Sequence, residues 1–183
     1  IWLPTTLRTP HVPRRVVFSF RFMLGLVYGY AGIAKLNADW MLHAQPLAIW
    51  LPQHSTLPVL GQFFAMREVA FLFSWAGAAF DLVAPFALFS DRVRPYFYPI
   101  LVIFHVLTWV LFPIGVFPWV MIACTTVFFA DSWHEALWSK LQRWLPTSKV
   151  LPMDVHWPSW KRVVLVTFLL VQAVFPWRHL AYK

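Results

Sequence analysis

Charge is scarce in this 183-residue sequence: Asp, Glu, Lys and Arg make up 12 % of it, about half of the roughly 25 % that is usual in soluble domains. Cysteine is almost absent, and the single Cys124 excludes an internal disulfide framework and a cysteine zinc site. A soluble enzyme or a disordered tail needs a larger polar fraction, so both classes are excluded.

Apolar residues take the place of the missing charges. They form 60 % of the chain, with 12 Trp and 18 Phe, which is more than a small globule can hide from water. The net charge of +8 does not indicate a nucleic-acid-binding domain, because the basic residues lie between apolar runs and do not cluster on a polar face. The solvent for most of the chain is therefore expected to be lipid.

Five apolar segments approach the ~20 residues that a helix needs to cross a bilayer. They predict an all-α, polytopic integral membrane helix bundle with about five transmembrane helices and an interfacial helix. The predicted spans are Val16–Leu36, Val69–Phe89, Pro95–Phe112, Pro113–Ala130 and Val163–Phe175, and the interfacial segment is Trp40–Leu51.

The basic residues divide unevenly between the two sides of such a bundle. If the amino end lies on one side, that side receives ten Lys and Arg, while the other side receives only Arg178 and Lys183. Because loops rich in Lys and Arg stay in the cytoplasm, the amino end is expected to be cytoplasmic and the carboxyl end periplasmic. Lys35 then lies near the outer end of the first span.

Lys35 is the most informative polar residue near a span, because placing an ionisable group at bilayer depth is energetically costly and such groups commonly have a function. Desolvation disfavours the ammonium form, and a neutral amine can act as a general base. The alternative is a lysine that extends to the membrane surface and pairs with Asp39 one helical turn later.

Three other ionisable residues lie inside the predicted spans. His105 either binds a ligand or shuttles a proton, or it packs between helices with a bond to a carbonyl. Asp81 follows the small residues Gly77, Ala78 and Ala79, so it is predicted to join helices by pairing with Arg21. The scattered histidines lack the spacing of metal ligands, and no metal is assigned.

Several motifs together resemble the membrane domain of the vitamin K-dependent gamma-glutamyl carboxylase family, whose bacterial members are called HTTM proteins, for horizontally transferred transmembrane domain. The most specific strings are A-K-L-N-A-D-W and F-H…L-F-x-I-G-x-F-P. The motifs are His11–Arg15, Tyr28–Trp40, Pro46–Leu51, Phe80–Pro85, Phe104–His105 and Leu111–Trp119. The chain is accordingly interpreted as a partial HTTM-type domain over residues 1–183, cut from a longer bacterial polypeptide of the inner membrane.

The resemblance implies a specific reaction. In the family, a membrane-embedded lysine deprotonates vitamin K hydroquinone, dioxygen adds, and the resulting alkoxide takes the γ-proton of a glutamate, which then adds carbon dioxide. The resemblance places that lysine at Lys35 and makes His105 a candidate helper in the site. The expected cofactor is reduced vitamin K or another lipid quinol, and O2 and CO2 are co-substrates.

The same motifs supply candidates for quinone or substrate binding, which are Tyr30, Asn37, Trp40 and Thr108. At Thr108, family carboxylases often carry Asn. The expected partners are the lipid bilayer, the quinol, and a glutamate-containing peptide or a larger membrane complex. The alternative function is a non-catalytic accessory subunit of the HTTM or DoxX-like type in a photosynthetic or respiratory complex. A cavity that reaches Lys35 and His105 would favour the enzyme, and a sealed lysine would favour the subunit.

Overall fold

The protein is helical throughout the residues that the computed structural model describes, which are 14–59, 61–141 and 159–177. No β-strand occurs within those ranges, so the all-α class is confirmed there. The α-helices are α1 (Arg14–Ala34), α2 (Ala38–His43), α3 (Leu47–Trp50), α4 (Gly61–Phe64), α5 (Arg67–Phe89), α6 (Arg94–Leu111), α7 (Phe117–Thr125), α8 (Asp131–Leu141) and α9 (Ser159–Val174).

The chain divides into two compact units. One contains residues 21–128, and the other contains residues 1–20 and 129–183. Most of α1 and all of α2 to α7 belong to the first unit, which holds the buried apolar clusters and the candidate site described below.

Three helices in the described part of the chain are long and apolar enough to cross a membrane, namely α1, α5 and α6. They have 21, 23 and 18 residues, and their bounds agree within about two residues with the first three predicted spans. Length and composition therefore identify an integral membrane protein, as the sequence predicted.

The fourth predicted span, Pro113–Ala130, is only partly helical. The helix α7 begins at Phe117 and continues as a 3-10 turn to Phe128, which makes about 18 Å of helix at 1.5 Å per residue, less than a ~30 Å hydrocarbon core. Pro113 lacks a backbone N–H, and Gly115 adopts φ +63°, so the chain turns here before the helix starts. The fifth prediction corresponds to α9, a helix of 16 residues.

Helices α1 and α5 run antiparallel and approach each other at glycines. A Cβ on Gly32 would lie 2.8 Å from the Leu82 side chain, and one on Gly25 would lie 3.3 Å from Phe89. Small residues allow such close contact between apolar helices. This register places the carboxyl end of α1 beside the middle of α5.

The segment from α2 to α4 packs against the first half of α5, beyond the end of α1. The Trp40 indole donates to the Ser74 carbonyl at 2.7 Å, and the Trp75 indole donates to the Met41 carbonyl at 2.9 Å. Leu47 and Leu51 are buried in the same apolar cluster as Leu111. The predicted interfacial segment is thus divided between two short helices and a 3-10 turn, all of which contribute to the bundle.

In the other unit, the helices α8 and α9 are less buried than the helices of the 21–128 unit. In α8, Leu137, Trp138 and Leu141 are exposed, and Trp133 stacks on Phe129 with 4.6 Å between ring centroids. No described side chain of α9 is buried. Parts of the sequence predictions lie outside the described residues, including the loop residues 142–158, the His11 motif, Arg178 and Lys183.

Candidate functional site

A cavity of about 690 Å³ lies within the 21–128 unit. Its walls come from α1, α2, α3, α5, α6 and α7 and are mostly aliphatic and aromatic. The volume is in the ~300–1,000 Å³ range of small-molecule sites. The polar or amphipathic side chains on the wall are those of Lys35, Asp81, Tyr28, His105, Trp40, Trp50 and Thr108.

Lys35 and Asp81 form an ion pair at this wall. Lys35 Nζ lies 2.5 Å from Asp81 Oδ2 and also donates to the Ala31 carbonyl at 3.3 Å. The Lys35 side chain is 21 % exposed and that of Asp81 is 6 % exposed. The ammonium also lies 5.1 Å from the Trp40 ring, close enough for a cation–π contact.

The predicted pairing of Asp81 with Arg21 is wrong. Arg21 Nε donates to the Val127 carbonyl at 2.9 Å, and Lys35 takes the place beside Asp81. The reason is the antiparallel register of α1 and α5. Arg21 and Lys35 are separated by about 21 Å along the helix at 1.5 Å per residue, and only the Lys35 end of α1 reaches the level of Asp81.

The same register determines which part of α5 lies beside Lys35. Asp81 lies about 21 Å from the start of α5 and about 12 Å from its end at 1.5 Å per residue. Lys35 follows the last residue of α1, but that end is beside the middle of α5. Lys35 therefore lies at one end of the first span, as the sequence predicted, and its amine meets Asp81 in the middle of α5.

Tyr28 and His105 form a second polar pair on the cavity wall. The Tyr28 hydroxyl lies 2.8 Å from His105 Nε2, and the two residues are 2 % and 3 % exposed. The Phe80 ring packs on both, with centroid distances of 6.0 Å to Tyr28 and 6.3 Å to His105. The His105 ring is consequently fixed in direction by one hydrogen bond and by aromatic contacts.

His105 lines the cavity, and its bond to Tyr28 leaves the second ring nitrogen, Nδ1, for another partner. No buried side-chain nitrogen or oxygen in the described ranges lacks a hydrogen-bond partner, and the bond made by His105 is at Nε2. Nδ1 is thus the ring nitrogen that remains for a ligand in the cavity that His105 lines. When Tyr28 donates to Nε2, Nδ1 carries the proton and offers a donor to a ligand.

The structure brings together four of the predicted site residues. Lys35, His105, Trp40 and Thr108 all line the cavity. Thr108 Oγ1 donates to the His105 carbonyl at 2.9 Å. Asn37 is instead the N-cap of α2, accepting from Trp40 N at 2.9 Å and donating to the Ala34 carbonyl at 2.7 Å. Tyr30 is half-buried on α1 and is not among the residues that line the cavity.

Two partners in the site were not assigned their roles from the sequence. Tyr28 was named only as the first residue of the Tyr28–Trp40 motif, and Asp81 was interpreted as a partner of Arg21. One available signal was spacing, because Tyr28, Ala31 and Lys35 recur at three and four residues and so share one face of α1. The identity of the residues on the opposing helices has no comparable signal in a single sequence.

A cluster of metal-binding side chains is not found among the described residues. Among the described residues, no group of three or more His, Cys, Asp or Glu side chains could hold a metal ion. The site there consists of one charged pair, one neutral pair and an apolar chamber that both pairs line.

Comparison with known proteins assigns the family. No solved structure gives a significant match to the chain. The family model described as HTTM domain matches residues 1–133, a range that contains α1 to α7 and every residue of the cavity wall. The chain therefore belongs to the HTTM domain family of membrane proteins.

Proposed function

We propose that this protein is a membrane-embedded, quinol-dependent enzyme of the vitamin K-dependent carboxylase type, with Lys35 as the base. The observation that carries the proposal is that Lys35 and His105, separated by 70 positions in the sequence, line one cavity of about 690 Å³. A structural lysine at a helix end needs no such chamber beside it.

The two polar pairs suit the two ends of a quinol ring. Lys35 takes the proton from one quinol hydroxyl, and His105 Nδ1 bonds the other oxygen. Quinol and dioxygen then give the quinone epoxide and water, while the γ-carbon of a glutamyl side chain exchanges its proton for carbon dioxide. The chain's own contribution is to bind the ring, to remove the first proton and to exclude water.

The walls of the cavity favour the same chemistry. Phe80 and Phe104 stack with 3.9 Å between their centroids, and together with Trp40 they give the wall flat aromatic surfaces. Such surfaces bind an aromatic ring. An apolar chamber also protects a strong base from protonation by bulk water.

The proposal is tested with the complete protein in lipid nanodiscs, supplied with reduced vitamin K, dioxygen, carbon dioxide and a glutamate-rich peptide. Epoxide is measured by chromatography, and carboxylation by incorporation of labelled carbon dioxide. We expect Lys35→Met to lower epoxide formation by a factor on the order of 10² or more, because a positioned general base contributes about 10²–10⁴.

Lys140→Met is the matched control, since Lys140 lies on α8 and is not a cavity residue. It removes the same charge and adds the same side chain. We expect its turnover to equal that of the wild type. Equal epoxide formation by Lys35→Met and Lys140→Met would remove Lys35 from its role as base.

A second candidate function is a non-catalytic membrane subunit. It is favoured by the bonds of Lys35 to Asp81 and to the Ala31 carbonyl, since such bonds also suit a sealed structural lysine. On this hypothesis the ion pair only joins α1 to α5. Wild-type protein would then form no epoxide from reduced vitamin K, and Lys35→Met would change its stability alone.

A further inference from the structure

We propose that Asp81 acts through Lys35 as a positioning residue and as the final acceptor of the quinol proton. The inference rests on the proposed function and adds to it the place where the proton goes. An ammonium that is already paired with a carboxylate has no lone pair to offer, so Lys35 can act as a base only if it also passes a proton on.

The geometry provides that acceptor. Asp81 Oδ2 lies 2.5 Å from Lys35 Nζ, and the carboxylate is 6 % exposed while the lysine side chain is 21 % exposed. Both side chains line the cavity, and Lys35 is the more exposed member of the pair. The proposal accordingly gives the first proton transfer to the amine and the second to the more buried carboxylate.

The proton transfer balances without any further reactant. The quinol O–H bond breaks and a new Nζ–H bond forms, while a different Nζ–H bond breaks and an Oδ2–H bond forms. The products are a quinol anion, a Lys35 ammonium and an uncharged Asp81 acid. The ammonium remains beside the new anion, and the charge of Asp81 is lost where burial makes a charge least favourable.

A purely structural pair would behave differently. It would keep α1 and α5 in register but would not change protonation when a ligand binds. Other protonatable groups on the packed helices include Tyr28 and His105, which bond each other, and Asp39, His43 and Glu68, which are exposed. The ion pair with Lys35 makes Asp81 the group positioned to receive the proton.

The test is a difference infrared spectrum of the complete protein in nanodiscs, recorded without dioxygen so that no turnover occurs. Reduced vitamin K is added, and we expect the carbonyl band of an uncharged carboxylic acid to appear. The band is expected to be missing in Asp81→Asn and shifted in Asp81→Glu. The dimethyl ether of reduced vitamin K, which has no acidic proton, is the control ligand and should produce no band.

Two results would overturn the inference: absence of the band in the wild type, or the same band in Asp81→Asn. Turnover in air gives a second measurement. We expect Asp81→Asn to lower kcat by a factor on the order of 10² with KM changed less than about threefold, and Asp81→Glu to recover part of the loss. Unchanged kcat in Asp81→Asn, or no recovery in Asp81→Glu, would also contradict it.

The two proposals fail in distinguishable ways. If the band appears with reduced vitamin K but no epoxide forms in air, the proton transfer is correct and the carboxylase-type turnover is wrong. If epoxide forms and depends on Lys35 while no band appears, the turnover is correct and Asp81 is not the acceptor.

Discussion

The two polar pairs on the cavity wall differ in charge and in burial. Tyr28 and His105 are uncharged, almost fully buried and enclosed by aromatic rings. Lys35 and Asp81 are charged, and the amine keeps contact with the cavity and with a tryptophan face. Both pairs join different helices, and the proton transfer proposed above uses the charged pair.

The difference shows two ways in which an apolar bundle holds polar side chains. A neutral hydrogen bond can be buried with modest loss, so it serves to fix a direction. Burying an ion pair costs the desolvation of both charges. Under the proposed function, the cavity beside Lys35 explains why the pair is present. Four substitutions test this contrast, in order of decreasing effect on stability.

The largest effect is expected at the charged pair. Asp81→Leu alone leaves the Lys35 ammonium without its carboxylate and should lower the free energy of unfolding by about 3–5 kcal/mol. The double variant Lys35→Met with Asp81→Leu should be close to the wild type in stability, because an apolar pair of similar volume replaces both charges. Denaturant titration in detergent measures both variants. Equal losses in the single and double variants would show that packing alone holds this contact.

The next effect is expected where α1 meets α5. In Gly32→Ala, the new Cβ would lie 2.8 Å from Leu82, so the helices must move apart and stability should fall by about 1–3 kcal/mol. The displacement should also weaken the ion pair while sparing Tyr28 and His105. Gly29→Ala is the matched control, since its nearest neighbour is Pro85 at 4.0 Å. A larger loss at Gly29 would contradict this helix register.

A smaller effect is expected at the cap of α2. Asn37→Ala removes the acceptor for Trp40 N and should cost about 1 kcal/mol. Because Trp40 lies over the Lys35 ammonium, the variant also loosens the charged side of the cavity. Asn37→Ser keeps a capping oxygen and should retain most of the stability, as thermal unfolding would show. A full loss in the serine variant would mean that the cap is not the cause.

The smallest effect is expected at the neutral pair. Tyr28→Phe removes one hydrogen bond and keeps the ring contact with Phe80, so stability should fall by only about 0.6 kcal/mol, the mean for hydrogen bonds between membrane helices. A double-mutant cycle with His105→Phe isolates the coupling between the two side chains. Coupling larger than that of the charged pair would reverse the contrast.

Much of the helical architecture could be predicted from the sequence because a membrane simplifies the pattern. Apolar length alone located α1, α5 and α6, and the unusual positions of Lys35 and His105 within apolar segments marked them as candidates. The fourth span was predicted too long because Pro113 and Gly115 turn the chain within a run that is otherwise apolar. Hydropathy indicates whether a segment prefers lipid or water. It does not indicate where the helix in that segment starts.

The partners in the site could not be predicted in the same way. Whether Asp81 meets Arg21 or Lys35 depends on the register of two helices, and that register is determined by contacts such as Gly32 against Leu82. A glycine series on α1 indicates close packing but does not indicate which residue of α5 it meets. The assignment of Asn37 to quinone binding likewise overlooked its local role, although Asn before a short helix is a typical N-cap.

The turn between α5 and α6 has a consequence for how the protein is made. Arg94 is buried, donates to the Leu88 carbonyl at 2.7 Å and pairs with Asp91 at 2.8 Å, so four residues connect two long apolar helices through a bonded turn. We expect helices joined so tightly to enter the bilayer as one hairpin during synthesis. Asp81 on α5 and His105 on α6 would then leave water in a single insertion event.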